Sequence, residues 1–490
     1  MGGLVRGENS LDNERGRGLL TEAMEVLRGN LLLVLGSIAW WGSHYLLLWN
    51  ARIAAVDSLI SGYDGRFVLT IAGTVIALGV ATLVSRRKPQ FTFAGWRGSY
   101  VVFAVCASVA LGLLVIPALG ESNPMVTAGG AVLSGVGNSF MLLLCGELHA
   151  RMGVRFMPLV FAVETVAGVA VFFLLSWLPV VGEMAASAVL IVIAAVSYYA
   201  YARFARPMYA DRVPAKVDMT VKPLVVLAVL TGFAYGLVRT FAAGGLEHSG
   251  ASAGMESEYI GTCICALLLV AVFLLQGRQS LFEQCLLFVV PLVATGMLLV
   301  SLHGVIDVVP TAINTGGFAC FFNLMWYFAA VLAVHDKKYR LTFLVALLFF
   351  SSQLGQMLGA LVPTQFSNAF SSGLTYLLLL VSTLFMYYRA KTAQKNLDKD
   401  GMSEDPFSIE GEECLEDSAV DAWIQRFGFS AREAQIAMLL ARRMPYKQIS
   451  AGLFISDNTV KTHVRNIYKK ADVSSREELV EALRDIAKNG

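Results

Sequence analysis

Blocks of about twenty consecutive apolar residues recur along most of this 490-residue chain, and they constrain its fold more than any other feature. A helix rises 1.5 Å per residue, so about twenty residues cross the ~30 Å hydrocarbon core of a bilayer. Composition agrees: 56% of residues are hydrophobic and only 15% charged, with a mean hydropathy of +0.63. A soluble domain carries about a quarter charged residues. The expected fold class is therefore all-α, a polytopic membrane helix bundle.

Hydropathy places twelve spans near 30–50, 67–84, 100–119, 125–147, 156–178, 181–202, 223–243, 259–276, 281–301, 309–334, 341–362 and 370–388. The loops after even-numbered spans carry fifteen Lys and Arg residues, and the opposite loops carry only Arg52 and Arg66. Basic loops stay on the cytoplasmic side, so both ends are expected there, in a cytoplasmic membrane. Residues 1–29 are polar and mixed in charge, without a small-residue cleavage site after a short apolar core. They read as a cytoplasmic tail rather than a signal peptide.

The longest basic loop, near 203–222, divides the spans six and six. This arrangement resembles the major facilitator transporters, whose halves are pseudo-repeats. The resemblance is topological and covers residues 30–389. The family's acidic, glycine-rich motif between spans two and three is missing, because the loop here reads SRRKPQFTFAG.

Ionisable residues at membrane depth are costly and point to function. Glu164 falls about nine residues into span five, roughly 13 Å deep at helical rise, and Arg239 lies in span seven. Trp40/His44 and Trp41/Tyr45 are i,i+4 pairs on span one. Trp41, His44, Glu164 and Arg239 are the candidate lining of a cavity for a small molecule, aromatic or, through Arg239, anionic. Interhelical salt bridges and polar packing are the alternative for each of them. Asn138, Asn314, Asn323 and Gln353 add polar groups to other spans, and Glu147 and His149 read as snorkelling residues at the inner face.

The seven cysteines lack the spacing of a metal or redox motif, and the six in apolar stretches read as small hydrophobes. No nucleophile motif, phosphate loop, metal cluster or cofactor motif stands out, so neither an enzyme nor a metalloprotein is expected.

Charge then changes sign twice. Residues 390–425 hold ten Asp and Glu against three Lys, whereas residues 426–490 hold twelve Lys and Arg against seven Asp and Glu. The first segment, broken by Gly401, Pro406 and Gly411, reads as a flexible acidic linker. The second reads as a small four-helix soluble domain. Ser430 and Glu433 have the spacing of a capping box before an apolar run. Pro445 opens a second helix. Val460, Val464 and Ile467 form an i, i+4, i+7 stripe, and Lys461, Arg465 and Lys469 lie on the opposite face. A short helix, a tight turn and a second helix with a basic face suit the major groove of DNA.

The stretch LFISDNTVKTHVRNIYKKADVSSREE resembles the LuxR-type, or GerE-like, helix-turn-helix. That resemblance implies groove contacts from Lys461, Thr462 and Arg465, and phosphate contacts from Thr459, Lys469 and Lys447. It also implies a two-fold interface at Leu479, Val480 and Leu483. Arg443, Gln448 and Ala471 depart from the usual Gly, Glu and Gly. The implied partners are double-stranded DNA with a pseudo-palindromic site, a second copy of the domain, and RNA polymerase. Together the halves read as a one-component transcription regulator whose transporter-like half senses a small molecule. The alternative is an active secondary transporter with an autoregulatory DNA-binding tail.

Overall fold

A computed structural model describes residues 21–49, 65–115, 123–204, 220–249, 252–275, 291–299, 308–335 and 339–362. It also describes single positions between 373 and 391, then 423, 426–441, 446, 449, 457–476 and 478–482. Every regular element among them is a helix, and the chain divides into two compact units, Met1–Leu397 and Asp398–Gly490.

In the first unit the helices are α1 (Thr21–Gly29), α2 (Leu31–Trp49), α3 (Gly65–Arg87), α4 (Gly98–Val115), α5 (Pro124–Met152) and α6 (Met157–Leu175). Then follow α7 (Val180–Phe204), α8 (Val221–Ser249), α9 (Ser252–Leu275), α10 (291–299), α11 (Val308–His335) and α12 (Leu341–Ala360). Expected spans one to eight, ten and eleven each coincide with one of these helices. Span nine meets α10 over part of its length, and span twelve falls mostly outside the described residues. Among the described residues seven helices are long and apolar enough to cross a membrane, or eight when α1 and α2, bent by 76°, count as one.

Residues 21–29 are not merely tail. Ala23, Val26 and Leu27 share one helical face and pack into the bundle, with Ala23 and Val26 buried. At the corner, Asn30 Nδ2 donates to Val26 O at 2.7 Å, and Tyr201 Oη donates to Asn30 Oδ1 at 2.6 Å.

Helix pairing repeats with a shift of six elements. The pairs α2/α6 and α3/α5 recur as α8/α12 and α9/α11, and the cross pairs α3/α12 and α6/α9 exchange under the same shift. This is the contact pattern of two six-helix halves related by pseudo-symmetry. The α8/α12 seam is built on small residues. A Cβ on Gly232 or Gly236 would meet the backbone of Ser352 or Gln356, and one on Gly355 or Gly359 would meet Val229 or Phe233. Without a hydrophobic drive between helices in lipid, such backbone approach supplies the packing.

In the second unit, α13 (Ala431–Ala441), α14 (Asp457–Ala471) and a turn of helix at 478–482 surround a small core. Trp423, Phe429, Ile436, Leu440, Ile449, Val460, Ile467 and Leu479 are buried there. Trp423 lies inside the segment expected to be linker. Its indole is 0% exposed, so the packed domain begins before residue 426. An acidic, breaker-rich composition hid one large apolar side chain.

Candidate functional site

The helix-turn-helix unit is held at its ends by side chains. Ser430 N donates to Glu433 Oε2 at 2.8 Å, and Glu433 N donates to Ser430 Oγ at 3.2 Å, closing the expected capping box. Lys470 Nζ adds bonds to Glu433 Oε2 and Gly428 O, both at 2.7 Å, and so ties the end of α14 to the start of α13. Burial pushes the Glu433 carboxyl up, but the bonds from Lys470 and Ser430 outweigh it and hold it below the usual carboxylate range. Arg476 Nε and Nη2 cap Leu440 O at 3.1 and 2.9 Å.

At the end of α14 the chain turns through Asp472, whose φ is 54°, and Val473 N donates to Tyr468 O at 3.0 Å. This is the Schellman pattern. The family's usual glycine is therefore not needed at Ala471, which remains helical, and an Asp tolerates the left-handed position that follows it.

Val460, Val464 and Ile467 face the core, and Lys461, Thr462, Arg465, Asn466 and Lys469 are exposed. One helix thus buries an apolar stripe and offers an open basic face. The side chain of Thr459, and residues Lys447 and Leu483, lie outside the described residues. The expected two-fold surface needs correction at Leu479, which is fully buried in the domain's own core, with Val480 packed beside it. Leu479 is consumed by folding and is not free to meet a second copy.

Within the membrane unit, a cavity with about 800 Å³ of empty space, part of it open to solvent, lies between the two halves. Trp41 and His44 line it, as expected, together with Asn138, Asn323, Gln353 and Gln356. Trp41 stacks on Tyr45 at 5.5 Å, and Tyr235 stacks on Phe318 at 4.2 Å. Trp40, behind Trp41, donates from Nε1 to Asn138 Oδ1 at 3.1 Å.

Glu164 and Arg239 do not line this cavity. Glu164 is fully buried against His149, whose Nε2 lies 2.9 Å from Oε1, while Nδ1 meets Cys145 O at 2.8 Å. Neither Glu147 nor His149 snorkels, since both are buried. The Arg239 guanidinium sits over the Phe67 ring at 4.7 Å, and it is Phe67 that lines the cavity. Tyr235 and Phe318 were not anticipated, because an aromatic residue in an apolar span carries no mark of the face it will occupy.

Glu147 forms a second joint. Its carboxylate accepts Phe93 N at 3.1 Å and Ala94 N at 2.7 Å from the α3–α4 connection, and Thr342 Oγ1 at 2.6 Å from the first turn of α12. It fixes the loop that lacks the transporter motif and fastens it to the opposite half.

Residues 428–483 match the family described as bacterial regulatory proteins, luxR family. A curated relative, the nitrate/nitrite response regulator protein homolog of Haemophilus influenzae, is 36% identical over 74 residues. That match covers 14% of this chain and 36% of the relative, so the chain spans about a third of that protein's length. Among solved structures, the human organic anion transporter MFSD10 superposes with a TM-score of 0.50 at 14% identity, over 73% of this chain and 98% of that one. The proton:xylose symporter XylE gives 0.51 at 12% identity, over 74% and 95%. An outward-facing bacterial homologue of the iron transporter ferroportin gives 0.50 at 10%, over 75% and 99%.

The class defined here is a polytopic membrane protein carrying a DNA-binding domain. Residues 428–483 are a helix-turn-helix of the luxR family of bacterial regulatory proteins, and the membrane unit has the major facilitator fold.

Proposed function

We propose that the chain is a one-component transcription regulator of the bacterial inner membrane, with both termini cytoplasmic. Its transporter-like bundle binds a small molecule and thereby controls sequence-specific DNA binding by the C-terminal domain. The observation that carries this reading is the pairing, in one chain, of an open basic face on α14 with an aromatic cavity in the membrane unit.

On α14, Lys461, Thr462 and Arg465 read base edges and Thr459 and Lys469 hold phosphates, and Lys447, ahead of α14 in the chain, holds another. The domain works as a homodimer on a pseudo-palindromic site, through the last helix around Val480 and Leu483, with RNA polymerase as a further partner. Ligand control requires the bundle to have two states with different affinity for the ligand. The Glu147 joint, which links the halves through Thr342, is the element that such a transition would break.

Chromosomal binding of the full-length protein tests the reading beside a Lys461→Ala/Arg465→Ala double variant. A few sharp sites lost in the variant support it, and no sites in any growth condition would sink it. The fold itself favours one rival, an active transporter with an autoregulatory tail. Substrate accumulation in vesicles that an Asn323→Leu substitution abolishes would establish that rival.

A further inference from the structure

The cavity walls carry more information than its existence, and the inference drawn from them rests on the ligand-binding reading above. Its lining includes two stacked aromatic pairs, bridged by Phe322, whose ring lies 6.4 Å from Trp41 and 5.8 Å from Phe318. The stacked Tyr235–Phe318 pair stands on the second half and the Trp41–Tyr45 pair on the first. Flat side chains of this kind bind the flat or apolar face of a ring by dispersion and edge contacts. The same lining carries the carboxamides of Asn138, Asn323, Gln353 and Gln356 and several threonine hydroxyls, and among the described lining residues His44 is the one ionisable group besides tyrosine.

Two amide atoms of this lining have no hydrogen-bond partner among the described residues. Asn323 Oδ1 and Gln356 Nε2 are buried and unsatisfied, on residues only 2% and 4% exposed. Asn323 is itself held in place, because its Nδ2 donates to Ala319 O at 2.8 Å. A buried polar group without a partner costs about 1–3 kcal/mol, a cost that a ligand bonding these atoms would relieve. An ionised ligand would enter low-dielectric surroundings in which no described lining residue is a carboxylate, lysine or arginine, a cost that a neutral molecule avoids. The nearby cation, Arg239, is engaged with the Phe67 ring.

We infer that the cavity recognises an uncharged ring compound bearing hydroxyl or carboxamide groups, packed against the aromatic lining and bonded to the carboxamides of Asn323 and Gln356. Part of its lining lies away from the basic end of the bundle. Tyr45 is near the end of α2 and Phe67 near the start of α3, whereas Arg86, Arg87 and Arg151 occupy the opposite ends of α3 and α5.

The test uses the purified full-length chain in lipid nanodiscs and its intrinsic tryptophan fluorescence. Matched probes share a ring and differ in charge: benzamide and benzoate, nicotinamide and nicotinate, glucose and glucuronate. Saturable quenching by at least one neutral member is expected, with its charged counterpart about tenfold weaker or worse, and with about tenfold loss in Gln356→Leu, the cost of one unmade buried hydrogen bond. Arg239→Gln should leave the preference for neutral probes unchanged, which also shows that a folded variant still binds. Tighter binding of the charged members, dependence of binding on Arg239, or no saturable neutral probe would overturn the inference. Because this experiment reads binding and not promoters, its failure would leave the regulator reading to stand or fall on the chromosomal sites.

Discussion

Thr342 Oγ1 donates to Glu147 Oε1 at 2.6 Å, joining residues 195 positions apart on opposite halves of the bundle. The same carboxylate holds the α3–α4 connection through Phe93 N and Ala94 N. One side chain thus carries a loop and an interface together.

Substituting Glu147→Ala removes the acceptor for both amides and is expected to cost about 1–3 kcal/mol for each donor left buried and unsatisfied. Hydrogen exchange at Phe93 and Ala94 should accelerate by more than tenfold. Thr342→Val should loosen the contact between halves yet leave the two amides protected. Equal protection in wild type and Glu147→Ala would show that the carboxylate does not hold the loop.

The buried His149–Glu164 pair should behave as a unit. Glu164→Ala leaves an imidazole without its partner and is expected to destabilise by about 3–5 kcal/mol, whereas replacing both residues with leucine recovers most of that loss. A double-mutant cycle on thermal unfolding measures the coupling. Additive losses would mean that the 2.9 Å contact contributes nothing.

On α14, exposed and tied lysines should separate cleanly. Lys461→Ala and Arg465→Ala are expected to weaken specific DNA binding by about 1–3 kcal/mol each without lowering the stability of the domain. Lys469→Ala should reduce the salt slope of binding by about one. Lys470→Ala should instead destabilise the domain, because Lys470 bonds Glu433 and Gly428. Fluorescence anisotropy against salt, beside thermal melts, distinguishes these outcomes.

Glu433 makes the domain acid-sensitive. Its folded-state pKa lies below the unfolded value, so its contribution is fully present above the ordinary carboxylate pKa of about 4.3. That contribution is lost as pH falls through the lower folded value. Hydrogen exchange along α13 should show protection declining in this window in wild type and a flatter dependence in Glu433→Gln. The same pH dependence in both would assign the effect to other carboxylates.

At the α8/α12 seam, Gly355→Val places a side chain against the backbone of Val229 and should prevent the helices from closing. Gly129→Ala, where an added Cβ meets nothing within 4 Å, should be neutral. Monodispersity and melting temperature of the purified chain report the difference.

Much of the architecture was legible from local pattern. Helices over expected spans one to eight, ten and eleven follow from runs of apolar residues whose length alone matches a bilayer. The capping box and the Val460/Val464/Ile467 stripe follow from spacings of three and four residues. Glu164 and Arg239 could be recognised as costly within the membrane, but nothing nearby in the chain identified their partners. Leu479 was misplaced for the same reason, since a helix stripe announces burial without saying against what.

What the sequence by itself determined is therefore whatever depends on neighbouring residues: spans, caps, the basic face of α14 and the change of charge at the linker. The tertiary structure alone decided which polar groups meet. Glu147 became the joint to Thr342, His149 the partner of Glu164, and Asn323 and Gln356 the unsatisfied edge of an aromatic cavity. The physical reason is that a hydrogen bond or a stacked ring depends on separation in space to within tenths of an ångström. Helix packing sets that separation between residues far apart in the chain.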